Sequence, residues 1–302
     1  VRWCGAIAAI LLLSAAITAI LEGGAKEKAQ NAEQTSSGIA SEILAPLPMQ
    51  TGSESATAVQ TQYGPTQQSE GAYELVSYDS AVIRQPACGE VDLSYFSDAA
   101  FLGDSLTEGF TEYSINLGGA LICGYKGAGP DTVVNCTKVT HQERGEEIIL
   151  DTLAAAQPKK LYILLGTNTL TTAGSEERFL TYYSAMLDTL RTQLGDDCVI
   201  YVQSIPPVRP AVQEERSGLA SDNLRVVNES LAQMAAEKGC VYLDLWEALA
   251  DGDGNLSDLY DAPDGIHLSA GDGYSAWVSY LRTHAVYAED NEWTPGSVYA
   301  QE

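Results

Sequence analysis

The chain has 302 residues, 45% of them hydrophobic, enough for one large domain or two small ones. Its formal net charge is −25, and residues 96–302 contribute −19 of it, with 31 acidic side chains against 12 basic ones. A surface of that sign repels phosphate backbones and anionic lipid, which excludes nucleic acid as a partner, and it favours solubility outside a cell.

The first predicted element follows Arg2. Trp3 to Leu21 is a run of 19 uncharged residues, "WCGAIAAILLLSAAITAIL". As a helix it would rise ~28 Å, close to the thickness of a bilayer core. Residues 1–21 are therefore expected to be a signal anchor, with a signal peptide cleaved near Gly23–Ala25 as the alternative. Arg2 before the run leaves its C-terminal side outside the cytoplasm, with the domain extracellular and membrane-anchored, or secreted. Residues 22–92 are rich in Ser, Gln, Ala and Thr without a sustained period, as in "TGSESATAVQTQYGPTQQSEG". They read as a disordered linker, of about 45–50 Å r.m.s. span.

Residues 93–288 change character, and 289–302 read as an acidic C-terminal tail. "DAAFLG", ending at Gly103, is a short apolar strand. "GALICGY", ending at Tyr125, is a second. "GEEIILDTLAAAQ" reads as a helix. "KKLYILLG", Lys159 to Gly166, is apolar at nearly every position, as a strand covered on both faces should be. "SEERFLTYYSAMLDTLRTQLG" is an amphipathic helix with Ser175 at its start and Gly195 beyond its end. "CVIYVQSIPP" is a strand stopped by Pro206 and Pro207, "SDNLRVVNESLAQMAAEKG" a helix, "CVYLDLWEAL" the fifth strand and "SAGDGYSAWVSYLRTHA" a closing helix. Alternation of this kind predicts an α/β/α sandwich with a five-stranded parallel sheet, flavodoxin-like in manner. Ligands then sit at the carboxyl ends of the strands.

Five residues fall on that side. Ser105 follows the first strand in "FLGDSLTEGF", where a serine serves either as a helix cap or as a nucleophile. A serine hydroxyl needs a base within hydrogen-bond reach. The chain has three histidines, His141, His267 and His284. His267 lies three residues after Asp264 in "APDGIHLS", a turn that can aim the carboxylate at one ring nitrogen and leave the other for Ser105. His141 is the next candidate base. Acyl transfer also needs donors for the developing oxyanion. Asn168 in "LLGTNTL" offers a side-chain amide, and Gly127 or Gly129 in "GYKGAGP" allows close backbone approach.

Together "GDSLTEG", "GTN" and "DGIHL" resemble, in order and spacing, the SGNH or GDSL hydrolase family, over about Phe101 to His284. The resemblance implies Ser105 as nucleophile, His267 as base and Asp264 as its orienter. It also implies an oxyanion hole from the Ser105 backbone N–H, a glycine N–H at Gly127, with Gly129 as rival, and the Asn168 side chain. "YILLGTN", "YVQSIPPV" and "YLDL" resemble a bacterial branch often tethered outside the cell, which implies small acyl esters, often O-acetyl groups on carbohydrate. No cofactor and no metal is expected. A lysophospholipase or thioesterase is the alternative within enzymes. A non-catalytic glycan- or wall-binding module is the alternative of another class.

Other features read as structural. "DGDGNLSD", Asp251 to Asp258, resembles a calcium loop but has Leu256 where glycine is needed and Ala262 where glutamate closes the site. Tyr182, Tyr183, Trp246, Tyr260 and Trp277 could line a sugar site, though at helical spacing such residues are more often core. No CxxC spacing occurs. Cys198 and Cys240 each open a strand, so they either meet as a disulfide or are buried thiols.

Overall fold

The first strand, β1 (Ala99–Gly103), is buried at all five positions. That is the consequence of an apolar run with helices on both faces. A computed structural model describes residues 83–299, with eight α-helices and seven β-strands among them in chain order. After β1 come α1 (Ser105–Glu112), β2 (Leu121–Gly124), α2 (Pro130–Val134), β3 (Lys138–His141) and β4 (Gly145–Ile148). Then follow α3 (Ile149–Ala156), β5 (Lys160–Leu164), α4 (Glu176–Leu194), β6 (Val199–Gln203), α5 (Pro210–Glu215) and α6 (Ser221–Glu237). The last are β7 (Val241–Leu243), α7 (Trp246–Leu249) and α8 (Asp272–Thr283).

Five strands form a sheet in the order β2-β1-β5-β6-β7, and every pairing in it is parallel. This is the expected flavodoxin-like arrangement. Side chains alternate across it. Ala100, Leu102, Leu161, Ile163, Ile200 and Val202 face one core, with α3, α4 and α6 packed on it. Phe101, Tyr162 and Tyr201 face the other, against α1 and α8. These three rings are register partners on adjacent strands. They stack at 4.7 and 4.3 Å between centroids, each pair within 7° of parallel. Cross-strand pairs of this kind fix register.

The strand order reverses at β1, whose neighbours are β2 and β5. The crevice of such a sheet lies there, at the carboxyl ends of the strands. Ser105 follows β1 and Asn168 follows β5, so the topology sets both at that crevice.

Three sequence expectations change. "GEEIILDTLAAAQ" is not one helix: Gly145–Ile148 pairs antiparallel with Lys138–His141 as a separate hairpin, and the helix begins at Ile149. The fifth strand stops at Leu243, where the Asp244 Oδ1 accepts the Trp246 N–H at 3.2 Å and turns the chain into α7. The packed region also runs past both expected boundaries. Ile83 and Val91 are buried, and the Gln85 N–H donates to the Tyr242 carbonyl at 2.8 Å. Residues 292–294 return along this segment, with the Thr294 N–H donating to the Glu90 carbonyl at 2.8 Å and Trp293 bridging Val91. Cys198 and Cys240 are buried free thiols. The expected anchor at 1–21 and most of the expected linker lie outside the described residues. Among the described residues no helix is long and apolar enough to cross a membrane.

Gly103 closes β1 against α1. A Cβ there would lie 2.6 Å from the Leu164 carbonyl oxygen and closer still to Thr107 Oγ1. Gly103→Ala is therefore expected to lower unfolding stability by about 1–3 kcal/mol, because the backbone oxygen cannot retreat. A urea midpoint equal to wild type would contradict this close packing.

Candidate active site

Asp104 comes first in the construction of the site. It is wholly buried at the N-terminus of α1. Its Oδ1 accepts the Leu106 N–H at 3.0 Å, which makes it the helix cap. Its Oδ2 accepts the Thr167 hydroxyl at 2.5 Å and the Asn168 Nδ2–H at 3.0 Å. Burial pushes the Asp104 carboxyl above its ordinary range, and the hydrogen bonds from Thr167 and Leu106 pull it part of the way back. Because Asp104 serves as the cap, the Ser105 hydroxyl is free for other work. Ser105 is the first residue of α1, so its N–H has no helical carbonyl to bond.

His267 meets Ser105 from the other side. Its Nε2 lies 2.8 Å from Ser105 Oγ, and its Nδ1 lies 2.5 Å from Asp264 Oδ2. With the Nδ1 proton directed at the carboxylate, Nε2 is left to accept the serine hydroxyl. Asp264 Oδ1 also accepts the backbone N–H of Ile266 at 3.0 Å and of His267 at 2.9 Å. Partial burial works to raise the Asp264 carboxyl. The bonds from the His267 ring and from these two backbone groups outweigh it and hold the carboxyl below its ordinary range. The turn is shaped by Gly265, whose φ of +70° and close approach to Arg209 leave no room for a side chain. The Ala262 N–H donates to the His267 carbonyl at 2.8 Å and closes the loop.

The other histidines are placed elsewhere. His141 is buried in the β3–β4 hairpin, where its Nδ1 accepts the N–H of Glu143 at 3.1 Å and of Arg144 at 3.2 Å. Burial, then the Arg144 charge, pushes its imidazole below the ordinary value. His284 stacks on Tyr280 at 3.8 Å and bonds the Tyr280 carbonyl through Nδ1 at 2.8 Å. Neither touches Ser105.

The two candidate glycines differ. Gly127 is exposed, with φ +78°, and its N–H makes no hydrogen bond among the described residues. Gly129 is buried, and a Cβ on it would lie 2.6 Å from Thr169 Oγ1, beside Asn168. Its N–H donates to Thr132 Oγ1 at 3.1 Å. Both therefore have a physical reason to be glycine.

A depression of about 200 Å3 opens beside Ser105 and His267, bounded by Glu112, Tyr113, Lys126 and Tyr274. The Tyr274 hydroxyl donates to the Leu106 carbonyl at 2.7 Å and ties α8 to the helix that carries the serine. Sequence reasoning did not single out these four residues, because a lone tyrosine or lysine on a helix or turn carries no spacing signal. Asp104 was missed as well, although a carboxylate one residue before a helical run is a cap signal. The aromatic residues weighed for a sugar site pack in or against the core, as their helical spacing suggested. Tyr183 and Trp277 are fully buried, and Tyr182, Trp246 and Tyr260 pack at the core margins. In the acidic loop, Asp251 Oδ1 accepts the N–H of Asp253 and of Asn255, both at 2.9 Å, so this carboxylate shapes a turn.

Asp104→Asn tests the buried carboxylate. The asparagine can keep the cap but must turn its amide toward Thr167 and Asn168, so the Asn168 amide loses its anchor. A fall in kcat for ester hydrolysis of about tenfold to hundredfold is expected with KM little changed, the scale of one charge-assisted hydrogen bond. The raised carboxyl has a second consequence. Its ionisation costs stability as pH rises from the ordinary value of 3.8 through the raised one, so the wild-type curve should fall across that window relative to the variant. Wild-type kcat in the variant would contradict the positioning role.

Residues 101–275 match the model of the GDSL-like lipase/acylhydrolase family. No curated protein matches the chain. Among solved structures it is similar to a GDSL-like lipase from Bacteroides thetaiotaomicron, with 17% identity over 67% of this chain and 91% of that one and a TM-score of 0.46. It is also similar to a lipase/acylhydrolase from Enterococcus faecalis, with 18% identity over 61% and 92% and a TM-score of 0.42. A third is a carbohydrate acetylesterase family member from Sinorhizobium meliloti, with 16% identity over 61% and 93% and a TM-score of 0.41. The family match takes in the serine, asparagine, aspartate and histidine described above, and the chain belongs to the GDSL-like lipase/acylhydrolase family of ester-hydrolysing enzymes.

Proposed function

We propose that the protein is a serine esterase that removes small acyl groups, typically O-acetyl, from a carbohydrate alcohol through an acyl-enzyme, outside the cytoplasmic membrane. The observation that carries the reading is the unbroken chain Ser105 Oγ, His267 Nε2, His267 Nδ1, Asp264 Oδ2, with steps of 2.8 and 2.5 Å. A binding module without catalysis has no need of it.

The geometry sets the order of events. Ser105 Oγ attacks the ester carbonyl carbon as His267 Nε2 takes its proton. Ionised Asp264 holds the imidazolium so formed. The carbonyl oxygen becomes an oxyanion, met by the Ser105 N–H, the second Nδ2 proton of Asn168 and a glycine N–H of the 127–129 turn. His267 then gives its proton to the departing alcohol. Water attacks the acyl-enzyme carbonyl as His267 takes its proton; the bond to Ser105 Oγ then breaks, His267 returns that proton to Oγ, and the carboxylic acid leaves.

Acyl length follows from the walls. Glu112 and Lys126 border the depression, and a long alkyl chain laid there would desolvate both charges. This favours acetyl over fatty acyl, and so an esterase over a lysophospholipase. The extracytoplasmic placement is supported by the acidic composition and by the uncharged run Trp3–Leu21. Protease added to intact cells should release the domain; resistance until the cells are broken would contradict that placement.

Ser105→Ala is expected to reduce hydrolysis of 4-nitrophenyl acetate by several orders of magnitude while leaving the circular dichroism spectrum unchanged. Wild-type kcat/KM should fall from acetyl to decanoyl esters. Retained turnover in Ser105→Ala would sink the nucleophile assignment, and a rise toward decanoyl would return the lysophospholipase reading.

A further inference from the structure

Glu112 and Lys126 stand at the edge of the depression at Ser105. Both residues also border a wider groove of about 620 Å3, within the ~300–1,000 Å3 range of small-molecule sites. Its far wall is the β3–β4 hairpin, through Lys138, Thr140 and Gln142. Its near wall is α1, through Glu108 and Glu112.

Glu108 is the unusual member. It is 5% exposed, and its Oε2 accepts no hydrogen bond among the described residues. Lys126 Nζ covers it at 3.6 Å, too far for a hydrogen bond. The Lys126 side chain is 68% exposed. A carboxylate on a groove wall whose Oε2 has no hydrogen bond and faces an ammonium only at 3.6 Å is an acceptor with capacity for a donor.

The rest of the lining decides what kind of donor. Two lysines and two glutamates cancel in charge, so the groove gives no net attraction to an ionic group. Lys126 and Lys138 donate, Glu108 and Glu112 accept, and Thr140 and Gln142 do both. Only Val139 is aliphatic. Donors and acceptors mixed on a lining without net charge match a molecule whose polar groups are all hydroxyls.

We infer that this groove holds the leaving alcohol, and that the alcohol is an uncharged oligosaccharide. Its acylated hydroxyl lies at Ser105, and the neighbouring sugar runs along α1 toward the hairpin. The inference rests on the esterase reading and names the alcohol side of the same site. The hairpin, a two-stranded sheet of its own tied to β2 by the Arg144 guanidinium on the Ile122 carbonyl, then has a role in specificity.

The test compares two acetyl esters, 4-nitrophenyl acetate and a partially O-acetylated xylo-oligosaccharide, on the full chain. The double variant Lys138→Ala/Gln142→Ala alters two exposed hairpin residues that line the groove and not the depression at Ser105, and circular dichroism checks its fold. Wild-type enzyme is expected to prefer the oligosaccharide in kcat/KM. The variant is expected to lose that preference by about tenfold, the scale of one to two lost hydrogen bonds. A wild type that favours 4-nitrophenyl acetate, or a variant in which both esters change in equal proportion, would overturn the groove assignment. Failure of the wild type on both esters would overturn the esterase reading beneath it.

Discussion

The buried carboxylate of Asp104 is the constraint on which the site depends. It receives the Leu106 N–H from the start of α1 and the side chains of Thr167 and Asn168 from the loop after β5. These two segments follow adjacent strands of the sheet. The one carboxylate therefore fixes the nucleophile-bearing helix and the proposed oxyanion donor in a single frame. Burying a charge is costly unless it is hydrogen-bonded, and three donors are what make the position tolerable. An alanine in its place would leave the Thr167 hydroxyl and one Asn168 proton unpartnered.

The second half of the site is held differently. Asp264 and His267 sit on a turn outside the sheet, with side chains 50% and 36% exposed. Here the order comes from the turn itself: Gly265 in the left-handed region, the Ala262–His267 backbone bond, and two N–H groups on Asp264 Oδ1. The depressed Asp264 carboxyl gives a stability contribution that is present above its ordinary value of 3.8 and lost only as pH falls through the lower folded value. Exposure and screening keep that contribution small. A rigid nucleophile side and a tethered base side meet across 2.8 Å.

The sheet was legible because its central strands are apolar at nearly every position, a pattern that only a doubly covered strand requires. Ser105, Asn168, Asp264 and His267 were legible because each stands just beyond such a run or in a turn with its partner. The β3–β4 hairpin was not. Its residues are mostly exposed, so neither strand has an apolar face, and "EEII" continues without a break into the helical "LDTLAAA". Residues 83–92 were read as linker because only isolated apolar residues, Ile83 and Val91, anchor them, and these have no period. Ser105 was read as a possible cap, whereas the cap is its neighbour Asp104. That distinction depends on which oxygen reaches the Leu106 N–H, which spacing alone does not decide.

Covalent labelling tests the central claim most directly, because it needs the nucleophile, its base and the oxyanion donors at once and assumes no substrate. The enzyme is treated with a fluorophosphonate at neutral pH and its peptides are mapped by mass spectrometry. The account predicts a single adduct on Ser105, lost when His267 is replaced by glutamine. An adduct on another serine, or none on a folded wild-type chain, would contradict it.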